Sequence, residues 1–237
     1  MNETVELFML NDEALKKGFK WENNLNRKFA ALELTLRKKE ADVEGIKQLM
    51  AFMKKETSAF SYFRSSLLTI SASLSAREDG EETFRKAVSL YEDLKAAGFS
   101  STQYLPYVAY FLATEADGEA KDTIARAYEM YKIMKQNNYW LTSADDHMMA
   151  ILLAHSGVDP SAASVEMKEI YEYLNEGGIR KGNVLQSMSH LLLISNEPVY
   201  KKAYRLLSIR KGLKDADIKL DSYSQSMIAV LALVKQE

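Results

Sequence analysis

The sequence predicts an all-α fold, arranged as an α-solenoid-like array of about five helical hairpins of roughly 40 residues each behind an N-terminal helical cap. Three observations lead to this prediction. Pro occurs three times and Gly ten times in 237 residues, while Leu, Ala, Lys, Glu and Met recur at helical spacing. Short polar turns interrupt the chain at regular intervals. A ten-residue segment also recurs in register.

The recurring segment occurs as "LYEDLKAAGF" (90–99), "MYKIMKQNNY" (130–139) and "IYEYLNEGGI" (170–179), which align without gaps at a spacing of 40 residues. One aligned column is tyrosine in every copy and is predicted to be buried between hairpins: Tyr91, Tyr131 and Tyr171. The column that ends each helix holds residues that tolerate the left-handed conformation: Gly98, Asn138 and Gly178.

The elements follow from this frame. Helices around 4–17 and 22–39 form the cap, residues 1–41, and the polar "RKKE" at 37–40 fits a solvated edge. Stacked hairpins follow over 42–236, so that residues 1–237 make a single domain. Each polar turn starts a new helix, and Asp79 and Asp159 are expected as N-cap residues, with Pro160 at a first helical position.

Composition excludes several classes of function. A formal charge of −2 gives no general attraction to nucleic acid, and the absence of cysteine excludes disulfide frameworks and thiolate metal sites. The longest apolar run, "MIAVLALV" at 227–234, is far shorter than a membrane span, and the N-terminus lacks the pattern of a signal peptide. We expect a soluble cytoplasmic protein with no membrane or nucleic-acid partner and no cofactor.

The basic stretch from Lys201 to Lys214 is interpreted as a solvated helix face.

A polar band is predicted along the second helices of the hairpins. The candidate residues fall in matched repeat columns at i, i+4 and i+7, one stripe of a helix. They are Tyr62, Ser66, Gln103, Tyr107, Tyr110, His147, Asn183, Ser187 and His190, with Arg64, Asp145 and Gln186 at the border and Asp146 beside His147. Stacking would join them into a groove, the surface with which solenoids bind extended partners.

Two interpretations of Asp145 and Asp146 remain open. Ser143 and Asp146 have the spacing of a capping box, as do Asn183 and Gln186, which favours helix capping. Capping is the expectation for Asp146, and the role of Asp145 stays more open. The second interpretation is a divalent metal ion bound by Asp146 and His147 together with the distant His190, but a carboxylate and an imidazole without a third ligand at a regular spacing do not make a metal motif.

Three segments carry a resemblance to a known family: "AFSYFRSSLL" (59–68), "WLTSADDHMMAILLA" (140–154) and "KGNVLQSMSHLLLIS" (181–195). In this order they resemble the signatures of an uncharacterised domain-of-unknown-function family of Firmicutes bacteria. The resemblance implies a helical, cytoplasmic bacterial protein without an assigned activity. It also marks the positions most like the family pattern, which are Arg64, Asp145, Asp146, Gln186 and His190.

Two functions of different classes are consistent with these patterns. The first is a scaffold or binding module that holds a protein or peptide along the polar band. The alternative is a metal-assisted hydrolase or other small-molecule site that uses Asp145, Asp146 and His190, with Arg64 as the anion-binding group. No motif establishes an enzyme. An open groove rich in tyrosine favours binding, and carboxylates converging on the histidines favour catalysis.

Overall fold

A computed structural model describes residues 2–116, 119–137 and 146–234. Within these ranges the chain forms twelve α-helices and one 3₁₀ turn, and it contains no strand. The helices are α1 Glu3–Gly18, α2 Asn24–Leu36, α3 Val43–Glu56, α4 Leu67–Ser75, α5 Gly80–Ala96, α6 Leu105–Glu115, α7 Ala120–Asn137, α8 His147–His155, α9 Pro160–Glu176, α10 Asn183–Leu192, α11 Val199–Asp215 and α12 Ser222–Leu233; the 3₁₀ turn is Tyr62–Ser66.

The all-α prediction is confirmed over the described residues. Three long helices begin at Gly80, Ala120 and Pro160, which are 40 residues apart and match the period read from the sequence. The chain divides into two compact units, residues 1–121 and 122–237, and each is described by itself. The single domain over 1–237 and the continuous solenoid stay predictions.

The first unit consists of helical hairpins that pack side by side. Helix α1 packs on α2, α3 on α4 and α5 on α6, while α2 contacts α4 and α3 contacts α5 across hairpins. A buried cluster joins the first two hairpins through Leu15, Leu34, Ile46 and Leu68. Farther along, the ring of Phe63 packs edge-on against Phe84, with 5.3 Å between ring centroids. Each hairpin therefore buries its apolar side chains partly on its neighbour.

The second unit repeats this arrangement. Helix α9 packs on α10 and α11 on α12, while α9 contacts α11 and α10 contacts α12. One apolar core holds side chains from α7 to α12; examples are Met130, Met134, Leu153, Ile170, Leu192, Leu206 and Ile228. In this unit the first helices of successive hairpins therefore contact each other, and so do the second helices.

Most of the predicted helix boundaries are formed by the expected chemistry. Asp159 accepts a hydrogen bond from the backbone N–H of Ala162 at 2.9 Å, and Pro160 opens α9 as expected. Gly98 and Gly178 have φ of +106° and +87°, the left-handed conformation predicted for the helix-stop column. Asp79 precedes α5, but its carboxylate binds Arg77 at 2.8 Å and makes no capping bond.

The tyrosine column is buried to different degrees. Tyr91 is buried as predicted, whereas Tyr131 and Tyr171 are half-buried at the edge of the core of the second unit. Asn138, in the helix-stop column, lies outside the described residues.

Lys202 corrects the interpretation of the basic stretch as a solvated face. Its side chain is fully buried, and its ammonium group donates to Glu166 on α9 and to the Ser195 carbonyl at 2.7 Å. The neighbouring Lys201 is exposed and forms a surface pair with Glu197 at 3.4 Å. One lysine therefore ties α11 to α9 and to the turn after α10, because a buried ammonium group needs charged or polar partners.

Replacing Lys202 with Ala should lower the free energy of unfolding by about 2–3 kcal/mol, since it leaves the Ser195 carbonyl without this donor and removes the charge opposite Glu166. Partial exposure of Glu166 keeps the loss below that of a fully buried pair. Lys201→Ala is the matched control and should cost less than about 0.5 kcal/mol. Urea unfolding of both variants measures the difference, and equal losses would contradict the structural role of Lys202.

Candidate functional site

The polar band in the first unit holds two neighbouring helices in register. Thr69 on α4 lies close enough to the Tyr107 phenol on α6 to lower its pKa, and one turn farther the Tyr110 hydroxyl donates to Ser73 Oγ at 2.6 Å. Both contacts advance in the same direction along the chain, so α4 and α6 run parallel. Burial raises the pKa of both phenols above its usual range, and the hydrogen bonds lower it in part. These tyrosines are therefore neutral groups that join two helices.

Exposed aromatic side chains lie where these two helices begin. Phe60, Tyr62 and Tyr104, here called the aromatic edge, are exposed by 99%, 45% and 40%. The 3₁₀ turn that starts at Tyr62 packs on α6, and the parallel register places the starts of α4 and α6 at one end of the unit. Gln103 is exposed beside Tyr104. Sequence reasoning selected Tyr62 and Gln103 but missed Phe60 and Tyr104, which lie outside the repeat columns used.

Arg64 has a local structural role. Its guanidinium group donates to the carbonyls of Lys54 at 2.7 Å, Thr57 at 2.7 Å and Ser58 at 3.0 Å. These carbonyls lie at and just after the end of α3, where backbone acceptors lack helical partners. The positive charge also complements the negative end of the helix dipole. Arg64 therefore closes the end of α3, and the proposed anion site would compete for the same donors.

Ser66 lies inside the first unit. Its side chain is buried, and its hydroxyl donates to the Phe63 carbonyl at 3.2 Å. It therefore does not contribute to an open groove.

In the second unit, the band forms a polar cluster within the protein. His147 opens α8, and its ring packs edge-on against the Tyr131 ring of α7 with 4.8 Å between centroids. His190 on α10 is 1% exposed, and its Nδ1 lies 3.7 Å from Asp146 Oδ1. The structure thus brings Asp146, His147 and His190 together with Tyr131, which the repeat columns did not place in the band.

Asp146 occupies the residue before α8, and its side chain does not cap the first turn of that helix. Its carboxylate faces His190. The capping box expected for Asp146 stays a prediction. Ser143, the other half of the expected capping box, lies outside the described residues, as does Asp145.

The other expected capping box, at the start of α10, is not formed. Gly182 precedes the helix with φ of +146°, and no side chain caps this end. Asn183 is exposed, Gln186 is buried and Ser187 is half-buried. Gln186 lies one turn before His190, so both side chains are on the same inward face of α10.

Electrostatics favour the neutral forms of His147 and Tyr131. Burial lowers the pKa of His147 from 6.5 to about 4, although the neighbouring Asp146 carboxylate acts in the opposite direction. Burial, together with the Asp146 charge, raises the pKa of the Tyr131 phenol.

The part of the chain that the structure describes holds no group of three His, Asp or Glu side chains arranged to bind a metal ion. None of its helices is long and apolar enough to cross a membrane.

The fold and the candidate site define a helical protein in which polar side chains from neighbouring hairpins meet. The chain belongs to the family described as Protein of unknown function (DUF4003), whose model matches residues 11–237. It is similar to the uncharacterized protein YeaA of Bacillus subtilis (strain 168), with 24% identity over 208 residues. That alignment covers 84% of this chain, which spans 62% of the length of YeaA.

These matches confirm the resemblance to an uncharacterised Firmicutes family. No solved structure matches the chain.

We expect stability to fall as the pH drops from about 6.5 to about 4, because the unfolded chain takes up a proton on His147 that the folded protein resists. His147→Gln should reduce this loss by up to about 3 kcal/mol, since glutamine does not titrate. Urea unfolding of the parent and variant across this pH range measures the effect. His155→Gln, at an exposed position, is the control; parallel curves for the parent and His147→Gln would contradict the prediction.

Proposed function

We propose that this protein is a binding module for a protein or peptide, built as a helical solenoid that uses the aromatic edge as its principal contact surface. The observation that carries the proposal is the exposure of Phe60, Tyr62 and Tyr104 at one end of the parallel pair α4 and α6. Large aromatic side chains dominate the energetics of protein interfaces because each buries a wide area at a low cost in conformational entropy.

The edge combines contact area with a rigid support. Tyr107 and Tyr110 fix α6 against α4 through Thr69 and Ser73, so the starts of both helices are held in place. Arg64 fixes the loop that carries Phe60 by binding the carbonyls of Thr57 and Ser58. A prearranged surface loses less freedom on binding, which favours affinity.

Neighbouring polar groups define the kind of partner. Gln103 is exposed beside Tyr104 and offers both an amide donor and a carbonyl acceptor, the pair needed by an extended peptide backbone. The aromatic side chains would accept apolar residues of the same segment. We therefore propose an extended segment with one or two large apolar side chains as the partner.

The alternative was a metal-assisted hydrolase built on Asp145, Asp146, His190 and Arg64, and it has less support. The Arg64 guanidinium already serves three backbone carbonyls, and the His190 ring lies inside the second unit. A hydrolytic group must touch its substrate, and a side chain enclosed by protein is a poor candidate for that contact. The observation that supports this alternative is the 3.7 Å distance between Asp146 Oδ1 and His190 Nδ1.

Selection from a phage-displayed library of random peptides tests the binding proposal. We expect a family of enriched sequences with large apolar residues, whose affinity calorimetry can measure. Tyr62→Ala and Tyr104→Ala should each weaken binding about tenfold, since truncating a central aromatic contact costs about 1–2 kcal/mol.

Tyr204→Ala removes the same type of side chain from an exposed position on α11 in the second unit and should leave the affinity unchanged. The proposal fails if no peptide family is enriched, or if the enriched peptides bind the Tyr62 and Tyr104 variants as tightly as the parent.

A further inference from the structure

Helix α2 exposes a line of large apolar side chains: Leu25, Phe29, Leu32 and Leu36, here called the α2 stripe. Their exposed fractions range from 42% to 68%. At 3.6 residues per turn they cover about 60° of the helix circumference, roughly opposite the buried Ala30, Ala31 and Leu34. The N-terminal hairpin was expected to end the array with a polar outer face. Instead, α2 has apolar side chains on both sides, a feature of helices that pack against a further partner.

The spacing of the α2 stripe indicates another helix as its partner. Its members follow one another at intervals of four, three and four residues, which is the alternation of a and d positions in a coiled coil. Leu25 and Leu32 occupy d positions, and Phe29 and Leu36 occupy a positions. Such a narrow seam fits a single facing helix better than a broad sheet or pocket.

Charges beside the stripe identify that helix. Lys28 occupies the g position on one flank, and Glu33 the e position on the other, five residues later. In a parallel pair of helices the g residue of one chain lies next to the e residue five positions later in its partner. Two copies of α2 in parallel would therefore place Lys28 beside Glu33 twice.

An antiparallel pair has the opposite electrostatics, because its g positions face each other, as do its e positions. Lys28 would then lie near Lys28 of the second copy, and Glu33 near its equivalent, which is repulsive. Charge complementarity thus selects both the occupant and its orientation.

We propose that the α2 stripe is the interface of a symmetric dimer, in which two copies of this chain pair through parallel α2 helices. Leu25, Phe29, Leu32 and Leu36 each meet their own equivalents along the two-fold axis. This surface is distinct from the aromatic edge, so the dimer does not depend on the proposed binding function. Four side chains on one helix bury less surface than a standard interface, which buries about 800 Å² on each partner. The dimer should therefore dissociate on dilution.

Analytical ultracentrifugation from about 1 µM to about 200 µM tests for the dimer. We expect a concentration-dependent shift from monomer to dimer. Phe29→Glu should lower the association constant at least about tenfold, because it places two carboxylates at the centre of the apolar seam. Val165→Glu alters an apolar residue exposed on α9 and should leave the association unchanged.

Charge exchange tests the pairing between chains. Lys28→Glu should weaken the dimer by placing a carboxylate beside Glu33 of the other copy, whereas an antiparallel dimer would not be weakened. Mixing Lys28→Glu with Glu33→Lys restores both opposite-charge contacts, so the mixture should form heterodimers more readily than either variant self-associates. Circular dichroism must show that Glu33→Lys stays folded, because Glu33 also accepts a hydrogen bond from Ser73 at 3.0 Å.

Disulfide trapping tests the orientation, and the absence of native cysteine makes each introduced thiol unique. Leu25→Cys should form a disulfide-linked dimer under mild oxidation if the helices are parallel. In an antiparallel pair centred on the stripe, the two introduced thiols would lie about 16 Å apart along the axis, beyond disulfide reach. A mixture of Leu25→Cys and Leu36→Cys would instead crosslink between the two variants.

Three results would overturn the proposal: a monomer at every concentration, a dimer that Phe29→Glu leaves intact, or crosslinking only in the mixed cysteine pair.

Sedimentation with anionic phospholipid vesicles tests whether the α2 stripe binds a lipid surface instead of a second copy. Trp21 is fully exposed beside Lys20 before the stripe, a combination also found in membrane-surface helices. A monomer that binds vesicles, and loses that binding in Phe29→Glu, would assign the stripe to a lipid surface instead.

Discussion

A two-helix hairpin can bury only part of its apolar surface between its own helices, and the rest must be covered by a neighbour. This constraint governs both units. In the first unit the hairpin of α3 and α4 is covered on both sides, because α2 packs on α4 and α5 packs on α3. The first hairpin has a neighbour on one side only. The α2 stripe is the surface that this arrangement leaves uncovered, and it is therefore where a second copy can bind.

Polar side chains between packed hairpins have to find partners there, and they divide into two kinds. In the first unit the Tyr110 hydroxyl donates to Ser73, and Tyr107 lies close to Thr69. These contacts fix the register of α4 and α6 and support the aromatic edge. In the second unit Asp146 and His190 lie face to face beside a buried His147. Burial disfavours the imidazolium form of His147, and this is why we expect the stability of the second unit to depend on pH.

The candidate site shows which of its features the repeat columns can predict from the sequence. The repeat columns select Tyr107, His147 and His190 because periodicity indicates which residues share a helix face. The columns do not indicate how deeply a side chain is buried. Ser66, Gln186 and His190 are buried, while Phe60 and Tyr104 carry the exposed aromatic surface outside the columns. Depth depends on which neighbouring helix covers a face, and that information is spread over the whole packed unit rather than over one helix.

By itself the sequence determined the helical class, the 40-residue period, the cap at Asp159 and the left-handed stops at Gly98 and Gly178. These features depend on local preferences of the backbone and on spacing along one helix. Only the tertiary structure decided that Lys202 is buried against Glu166 and that Arg64 closes α3. Long charged side chains can lie in solvent or fold back onto backbone carbonyls, and the choice depends on which partners packing brings within hydrogen-bonding distance.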